Sequence, residues 1–236
     1  AISVMFPRGD QSLATANYEE DLAALYCNKA LLYFVRDLAS SFQSRSSTRP
    51  FRVLEIGAGT GGTASSLLPV LKDIKCEYTF TDISQSFLIN AKKRFKEYDF
   101  LEFKVLDIGK PPSQQKHKFE YNSYDLVIAT NVLRVTPDMT ATMTGVRDLL
   151  APGGSVIINE LTQCRPGLDC TVGLTKGWWS SANDPFRADG YPLMSIDTWR
   201  QICSDVGFDS SSFQHTDEND VLGQSVFTCQ KAITAP

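Results

Sequence analysis

A glycine-rich segment directly after a run of apolar residues carries the strongest chemical signal in this sequence. The apolar run at 51–54 leads into Glu55 and then into glycines at alternate positions, Gly57, Gly59 and Gly61. Glycine allows positive φ angles, and it lets a ligand approach the backbone without a Cβ atom in the way. We therefore expect a buried strand that ends, turns tightly and opens a helix, with a nucleotide-like ligand bound on the turn.

Two carboxylates follow at positions that suit the rest of such a ligand. Asp82 ends the second predicted strand, about 25 residues after Gly57, where a carboxylate can hold two ribose hydroxyls. Asp107 ends the third strand, where it can accept a hydrogen bond from an adenine amine. The carboxyl ends of parallel strands meet at one crevice, so these groups should lie together. The predicted cofactor-binding residues are Glu55, Gly57, Gly59, Gly61, Asp82, Ile83, Asp107, Ile108 and Asn131.

The elements that must position these residues alternate between strands and helices up to about residue 160. This alternation predicts an α/β fold, a doubly wound and mostly parallel sheet. The last third of the chain predicts an antiparallel hairpin instead. The predicted strands are 51–57, 77–82, 101–106, 124–130, 155–160, 209–216 and 224–230, and the predicted helices are 18–39, 61–72, 85–97, 138–150 and 196–206.

We divide the chain into an N-terminal helical cap with a Ser-rich linker, residues 1–50, and a cofactor-binding core, residues 51–236. Within the core, residues 162–192 are rich in Gly, Pro and polar side chains. This stretch is too long for a simple connection, and long loops of that kind are typical of lids over a site.

Composition excludes several classes of partner. The formal net charge is −4, which provides no electrostatic surface for nucleic acid or for an anionic membrane. No apolar run is long enough to span a bilayer. The six cysteines are scattered without a C-x-x-C pair, and with only two histidines we expect no metal site and a reducing, cytoplasmic location. We expect the isolated domain to be monomeric.

In this chain an acidic residue is followed by G-x-G-x-G and then by two spaced acidic strand ends. This pattern resembles that of the class I S-adenosylmethionine-dependent methyltransferases. The predicted C-terminal hairpin agrees with that resemblance, which covers about residues 51–230. It implies a seven-stranded, Rossmann-like sheet with S-adenosylmethionine as cofactor. A nicotinamide dehydrogenase is a distant alternative, because Gly57, Gly59 and Gly62 also satisfy G-x-G-x-x-G.

A narrower resemblance is to the C-methyltransferase domains of fungal reducing polyketide synthases. It implies transfer of a methyl group to the α-carbon of a β-ketoacyl chain, carried on an acyl carrier protein, in secondary metabolism. The segments that carry it are Val53–Thr63, Tyr78–Ser84, Tyr124–Ala129, Asn131–Leu133, Gly177–Trp179 and Met5–Asp10.

One residue departs from that family's pattern. The family continues Asn-Val-Leu with a histidine, proposed as the base that enolises the substrate, whereas this chain has Arg134. Glu160 retains the partner acid. An arginine stays protonated at any working pH and cannot serve as a general base. Arg134 either stabilises an enolate as a fixed cation or forms a bidentate pair with Glu160 that shuts the site.

The acceptor is expected between helix 18–39 and the lid, because an apolar acyl chain needs apolar walls. The candidate substrate residues are Tyr26, Trp178 and Trp179, and the Tyr26 hydroxyl is expected to reach the cofactor. Two alternatives stay open. In the first alternative, the chain is a free-standing N- or O-methyltransferase of a finished polyketide or tetramic acid, whose acidic acceptor needs no histidine. In the second, it is a non-catalytic methyltransferase-like domain.

Overall fold

Strands and helices alternate along the chain before it ends in two consecutive strands. The structure, a computed structural model, describes residues 22–44, 48–115, 117, 119–164, 166–170, 172–174, 177–181, 183–187, 190–215 and 223–233. The strands are β1 (Phe51–Ile56), β2 (Cys76–Asp82), β3 (Leu101–Val105), β4 (Tyr124–Thr130), β5 (Leu150–Leu161), β6 (Phe208–His215) and β7 (Gln224–Lys231). The helices are α1 (Leu22–Ser44), α2 (Gly62–Leu71), α3 (Gln85–Arg94), α4 (Met139–Leu149), α5 (Pro166–Asp169) and α6 (Ile196–Asp205).

All seven strands belong to one sheet, in the order β3-β2-β1-β4-β5-β7-β6. The five strands from β3 to β5 are mutually parallel, whereas β7 runs antiparallel to both of its neighbours. The predicted mostly parallel sheet with a C-terminal antiparallel hairpin is therefore confirmed. Because the chain order reverses between β1 and β4, a crevice opens there at the carboxyl ends of the strands.

Helices cover both faces of the sheet. Successive strand residues point to opposite faces, so Val53 packs in one core and Leu54 in the other. The core around Val53 includes residues of α1, α2 and α3, and the core around Leu54 includes residues of α4 and α6. The central strands are thus buried on both sides, which explains why their sequences are almost continuously apolar.

Helix α1 is longer at its carboxyl end than the predicted helix 18–39, of which residues 18–21 lie outside the described residues. Its Leu31 and Val35 are fully buried in the core that contains Val53. Near its end, the ring centroid of Phe42 lies 5.2 Å from that of Phe51, at the start of β1. The amino-terminal half of α1 therefore extends toward the carboxyl ends of the strands. No helix in the described part of the chain has the length and apolar character to cross a membrane.

Strand β5 begins earlier than the predicted strand 155–160. Helix α4 ends at Leu149, and Leu150 already pairs with Tyr124 of β4. The ladder is irregular between Tyr124 and Leu126, and Gly153 has a φ of 74°. The Pro-Gly-Gly segment is thus a bulge inside a strand rather than a separate turn, because glycine tolerates the positive φ angle that this bulge contains.

The long connection between β5 and α6 contains little regular structure. Its described helical pieces include α5 and a 3-10 turn at Val172–Leu174. It is fastened to the core at Asp184, whose carboxylate accepts a hydrogen bond of 2.6 Å from the backbone N–H of Met139 at the start of α4. The lid function of residues 162–192 and the division at residue 50 remain predictions.

Candidate active site

The predicted site residues are carried by the carboxyl ends of adjacent strands. Gly57 follows β1, Asp82 ends β2, Asn131 follows β4 and Glu160 lies near the end of β5. These four strands are neighbours in the sheet, so the side chains gather along one edge. This edge is where open parallel sheets bind their ligands.

Each glycine of the loop after β1 has a left-handed backbone conformation, but the three glycines differ in the atoms that surround them. The φ angles are 61° at Gly57, 55° at Gly59 and 84° at Gly61. A Cβ atom at Gly57 would lie 2.3 Å from Cγ2 of Val132, and one at Gly61 would lie 2.6 Å from the ring of Phe95. Packing therefore requires glycine at both positions. A Cβ at Gly59 would meet nothing closer than 3.9 Å, so this part of the loop faces open space.

Asp82 organises the loop from the neighbouring strand. One carboxylate oxygen accepts the N–H of Gly59 at 3.0 Å, and the other accepts the N–H of Ser84 at 2.8 Å. Burial raises the pKa of Asp82, and the backbone hydrogen bonds from Ser84 and Gly59 oppose that rise. The next residue, Ile83, is 65 % exposed and offers an apolar surface beside the loop.

Glu55 lies below the loop, inside the sheet. Its side chain is buried, and its carboxylate accepts a hydrogen bond of 2.8 Å from the hydroxyl of Tyr78 on β2. Burial raises the pKa of Glu55 to about 7, although the Tyr78 hydrogen bond lowers it in part. The structure thus assigns this carboxylate to Tyr78, whereas its contact with a cofactor remains a prediction.

The residues after β3 form a turn held by side chains. Asp107 accepts the N–H of Gly109 at 3.2 Å and pairs with the ammonium of Lys110 at 2.8 Å. Gln115 bonds both the N–H and the carbonyl of Asp107, and Ile108 is buried. Asp107 is therefore held at the crevice edge with its side chain partly exposed.

Arg134 and Glu160 form an ion pair at the same edge. Arg134 lies in a 3-10 turn, Leu133–Val135, and one of its terminal nitrogens is 3.0 Å from a carboxylate oxygen of Glu160. The predicted bidentate geometry is wrong. The second Glu160 oxygen accepts two backbone N–H groups, from Leu133 at 2.8 Å and from Arg134 at 3.2 Å, so it has no place for a second guanidinium nitrogen.

Asn131 completes this polar cluster. Its side-chain oxygen accepts a hydrogen bond of 3.2 Å from the same guanidinium nitrogen that meets Glu160. Its φ of 52° is left-handed, a conformation that asparagine adopts more readily than most residues. Asn131 thus reverses the chain after β4 and directs the following turn toward Glu160.

The two predicted tryptophans of the lid differ in their contacts. Trp178 is buried, and the guanidinium carbon of Arg134 lies 5.6 Å from the centroid of its ring, a cation–π contact. Trp179 is 43 % exposed, donates its indole N–H to the carbonyl of Gly173 and packs edge-on against Tyr191. The structure therefore brings Trp178 to the ion pair and leaves Trp179 within the lid.

Tyr26 lies apart from these groups. It is half exposed on α1, in an open groove of about 570 Å³ that Gln214 of β6 also lines. None of the other predicted site residues is among the described residues that line this groove. The predicted contact of the Tyr26 hydroxyl with the cofactor therefore has no support from the described contacts.

Comparison with known proteins agrees with this geometry. A family profile described as "Methyltransferase domain" matches residues 54–156, which span β1 to the first half of β5. The chain is 35 % identical over 234 residues to Polyketide synthase ThaQ of Burkholderia thailandensis, covering 98 % of this chain and 11 % of that protein. It is 44 % identical over 162 residues to Highly reducing polyketide synthase pspA of Penicillium soppii, covering 66 % of this chain and 6 % of that protein.

Solved structures extend the match to the whole described fold. The CurJ carbon methyltransferase superposes with a TM-score of 0.87 at 35 % identity, over 98 % of this chain and 61 % of that chain. The chain belongs to the class I methyltransferases. Within that class it is similar to the methyltransferase domains of polyketide synthases. The chain spans about a tenth or less of the full length of those synthases. Bacterial and fungal relatives are comparably similar, so the resemblance to fungal synthases does not indicate a fungal source.

Two residues of this methyltransferase domain escaped prediction from the sequence: Arg187, which contacts the site, and Asp184, which fastens the long connection to α4. Arg187 is buried, donates a hydrogen bond of 2.9 Å to the carbonyl of Arg134, and bonds the carbonyl of Pro192. Burial lowers the pKa of Arg187, and the neighbouring Asp184 and Glu160 carboxylates oppose that change. Charged residues in a polar loop resemble ordinary surface residues, so no local pattern marks Arg187 or Asp184 as buried.

Proposed function

We propose that this domain transfers a methyl group from S-adenosylmethionine to the α-carbon of a polyketide chain, carried as a β-ketoacyl group on an acyl carrier protein. The contact between Gly57 and Val132 carries the proposal, because a Cβ at Gly57 would overlap Val132. Val132 leads into the turn that presents Arg134 to Glu160. The loop suited to the methyl donor therefore abuts the polar pair suited to the acceptor, and transfer requires such proximity.

The residues present fit S-adenosylmethionine. The open space at Gly59 leaves room for close approach of a ligand, exposed Ile83 offers an apolar platform, and the Asp82 carboxylate lies between them. We assign Asp82 to the ribose hydroxyls and Asp107 to the adenine amine. A trans-methyltransferase, CalH, solved in complex with SAH, superposes with a TM-score of 0.70 at 37 % identity, over 78 % of this chain and 52 % of that chain. When bound, the cofactor supplies an electrophilic methyl group on a sulfonium.

The proton on the acceptor's α-carbon presents a difficulty for this site. Arg134 is a permanent cation and cannot remove it. Both oxygens of Glu160 are already occupied by three donors, so Glu160 could take the proton only after Arg134 moved away. We therefore expect slow transfer to a simple β-ketoacyl thioester.

The test measures methyl transfer to acetoacetyl-pantetheine by mass spectrometry, with cofactor binding measured in parallel by calorimetry. We expect the unmodified domain to bind S-adenosylmethionine but to methylate this thioester slowly. We expect Arg134→His to raise the rate, because an imidazole has a pKa near the working pH and can take the α-proton. General-base catalysis of this kind contributes roughly 100-fold or more.

Arg134→Lys is the matched control, because it keeps the cation and shortens the side chain without adding a base. If Arg134→Lys raised the rate as much as Arg134→His, relief of the ion pair would be the cause instead of proton transfer. Rapid turnover by the unmodified domain, together with slower turnover by Arg134→His, would show that arginine is the catalytic choice.

The engaged carboxylate of Glu160 also favours a second candidate function. An acceptor that is already acidic or nucleophilic needs no base, so a finished polyketide or tetramic acid methylated on nitrogen or oxygen would suit the same site. The chemical shift of the new methyl group distinguishes carbon, oxygen and nitrogen products. Normal cofactor binding without transfer to any acceptor would identify a non-catalytic domain.

A further inference from the structure

Two buried cysteines face each other where α6 packs on β7. The thiol of Cys229, on β7, donates a hydrogen bond to Sγ of Cys203, on α6, and the two sulfur atoms are 3.3 Å apart. Both residues are almost completely buried. A pair of thiols at this distance has a chemistry that neither has alone, because two thiols can be oxidised together to a disulfide.

The contact between α6 and β7 is built in two layers. Trp199 lies one helical turn before Cys203, and Phe227 lies two residues before Cys229 on the same face of β7. The ring centroids of Trp199 and Phe227 are 5.3 Å apart, and all four residues belong to one hydrophobic core. The aromatic layer fixes the distance between the helix and the strand, and it thereby keeps the two sulfur atoms opposite each other.

The other four cysteines lie elsewhere in the fold. Cys27 and Cys76 belong to the core on the opposite face of the sheet, whereas Cys164 and Cys170 are exposed in the long connection after β5. A disulfide requires sulfur atoms about 2.05 Å apart, so the sulfur atoms of the buried pair need to approach by roughly 1.3 Å. The two residues of that pair are 26 positions apart in the chain, and a bond between them would close a loop that contains all of β6.

We propose that Cys203 and Cys229 are a modification site, at which hydrogen peroxide forms a disulfide that fastens α6 to β7. One cysteine, as its thiolate, attacks an oxygen of the peroxide. The oxygen–oxygen bond breaks, the sulfur is oxidised to a sulfenic acid, and the departing hydroxide takes up the proton that the thiol released. The second thiol then attacks that sulfur, so that the sulfur–sulfur bond forms and the sulfenic oxygen leaves as water. Two thiols and one peroxide thus give one disulfide and two waters, with two electrons passing from sulfur to oxygen.

Burial makes this reaction slow and its product lasting. The hydrogen bond with Cys203, together with burial, raises the pKa of the Cys229 thiol, so little thiolate is present at neutral pH. Hydrogen peroxide is little larger than water, and it reaches the pair when α6 opens locally. Once formed, the bond constrains the unfolded chain and joins α6 to the strand that pairs with β5. The inference does not depend on the proposed methyl transfer.

Peptide mapping tests the bond directly. The domain is treated with hydrogen peroxide, the peroxide is removed with catalase, and the remaining thiols are alkylated in denaturant. Trypsin leaves both cysteines in one peptide, residues 201–231, because no lysine or arginine lies between them. Mass spectrometry without reduction should show this peptide two hydrogens lighter and without an alkyl group. Urea unfolding followed by tryptophan fluorescence should show a midpoint higher by roughly 1 M in the oxidised domain, because the bond closes the loop through β6.

Cys203→Ala is the matched control, because it keeps Cys229 and both exposed cysteines and removes only the partner thiol. Its peptide should not lose two hydrogens, and peroxide should leave its urea midpoint within about 0.2 M. Reduction of the oxidised, unmodified domain with dithiothreitol is a second control, and it should return the midpoint to its starting value.

Two results of the mapping would overturn the inference. In the first, peroxide modifies Cys164 and Cys170 while the peptide 201–231 keeps two thiols that can be alkylated. In the second, a cysteine of this peptide gains oxygen without forming the bond. A bond that formed but left the urea midpoint unchanged would also overturn it, because α6 would then not be fastened to β7.

Discussion

Single residues in this domain show how a fold determines the chemistry of a side chain. Arg134 occupies a place where its backbone N–H and its guanidinium both bind Glu160, so one residue supplies two of the three donors to that carboxylate. An ion pair in such a buried setting gains little net stability, because the loss of hydration offsets the attraction. Its presence is therefore better explained by the chemistry of the site than by stability.

Glu55 provides the clearest prediction of pH dependence. Its pKa is about 7 in the folded domain because of burial, against about 4.3 in an unfolded chain. At a pH between these two values, Glu55 is protonated in the folded state and ionised in the unfolded state. The contribution of Glu55 to the free energy of unfolding is therefore lost as the pH rises from about 4.5 to 7. At one pKa unit per 1.36 kcal/mol, the loss is up to about 4 kcal/mol.

Glu55→Gln should remove this dependence, since its amide oxygen can still accept from Tyr78 and it does not titrate. Urea unfolding at pH 5 and pH 8 should show the variant gaining stability relative to the unmodified domain at the higher pH. Glu97→Gln, which alters an exposed carboxylate, is the control for the change in net charge. Parallel pH profiles for the unmodified domain and Glu55→Gln would contradict the assignment.

At the scale of elements, the parts of the site that follow strands were predictable. Gly57, Asp82 and Asn131 lie where the strand boundaries in the sequence indicated, because buried parallel strands are apolar runs with sharp ends. The start of β5 was not predictable, because a Pro-Gly-Gly segment normally ends an element. Here the sheet incorporates it as a bulge, a tertiary effect that local propensity does not contain.

The long connection at 162–192 was recognisable by its length and composition, but its anchors were not. Arg187 and Asp184 contact residues about 50 positions away in the chain, namely the turn at Arg134 and the start of α4. Contacts between distant segments depend on how the elements pack, and no periodicity reports them. For the same reason the sequence indicated Trp178 and Trp179 equally, whereas only Trp178 meets Arg134.

Arg187→Met should loosen the lid. The variant keeps the apolar stem but removes the hydrogen bonds to the carbonyls of Arg134 and Pro192, which fasten the lid to the turn. We expect faster amide hydrogen exchange across residues 177–187, by roughly tenfold or more if about 1.5 kcal/mol of local stability is lost. Mass spectrometry of peptic fragments measures this exchange.

Arg200→Met is the control for Arg187→Met. Arg200 is exposed and contacts the ring of Phe213 on β6 instead of the lid. The amide hydrogen exchange of the Arg200→Met variant across residues 177–187 should equal that of the unmodified domain. If Arg187→Met left exchange in this segment unchanged, the hydrogen bonds of Arg187 would not be what fastens the segment to the turn at Arg134.

For the molecule as a whole, the fold class followed from the alternation of elements, and the family followed from the motifs at strand ends. The packing of α1 against the core could not be predicted from the sequence. The helix can be regarded as a cap over the cofactor site because its amino-terminal half extends toward that edge, yet Leu31 and Val35 pack with Val53 of the central strand. The two cores share the same strands, so a substitution that destabilises one core is expected to destabilise the other.

Leu31→Ala tests whether α1 is a structural part of the core or a detachable cap. Leu31 is fully buried, and its truncation should lower the free energy of unfolding of the entire domain by about 2–4 kcal/mol. Leu22→Ala, on the same helix but 81 % exposed, is the matched control and should change stability by less than about 0.5 kcal/mol. Urea unfolding followed by tryptophan fluorescence is informative, because Trp199 lies in the opposite core. A shifted midpoint in that signal means that α1 and both cores unfold as one unit, whereas an unchanged midpoint would show that α1 separates from the rest before the sheet unfolds.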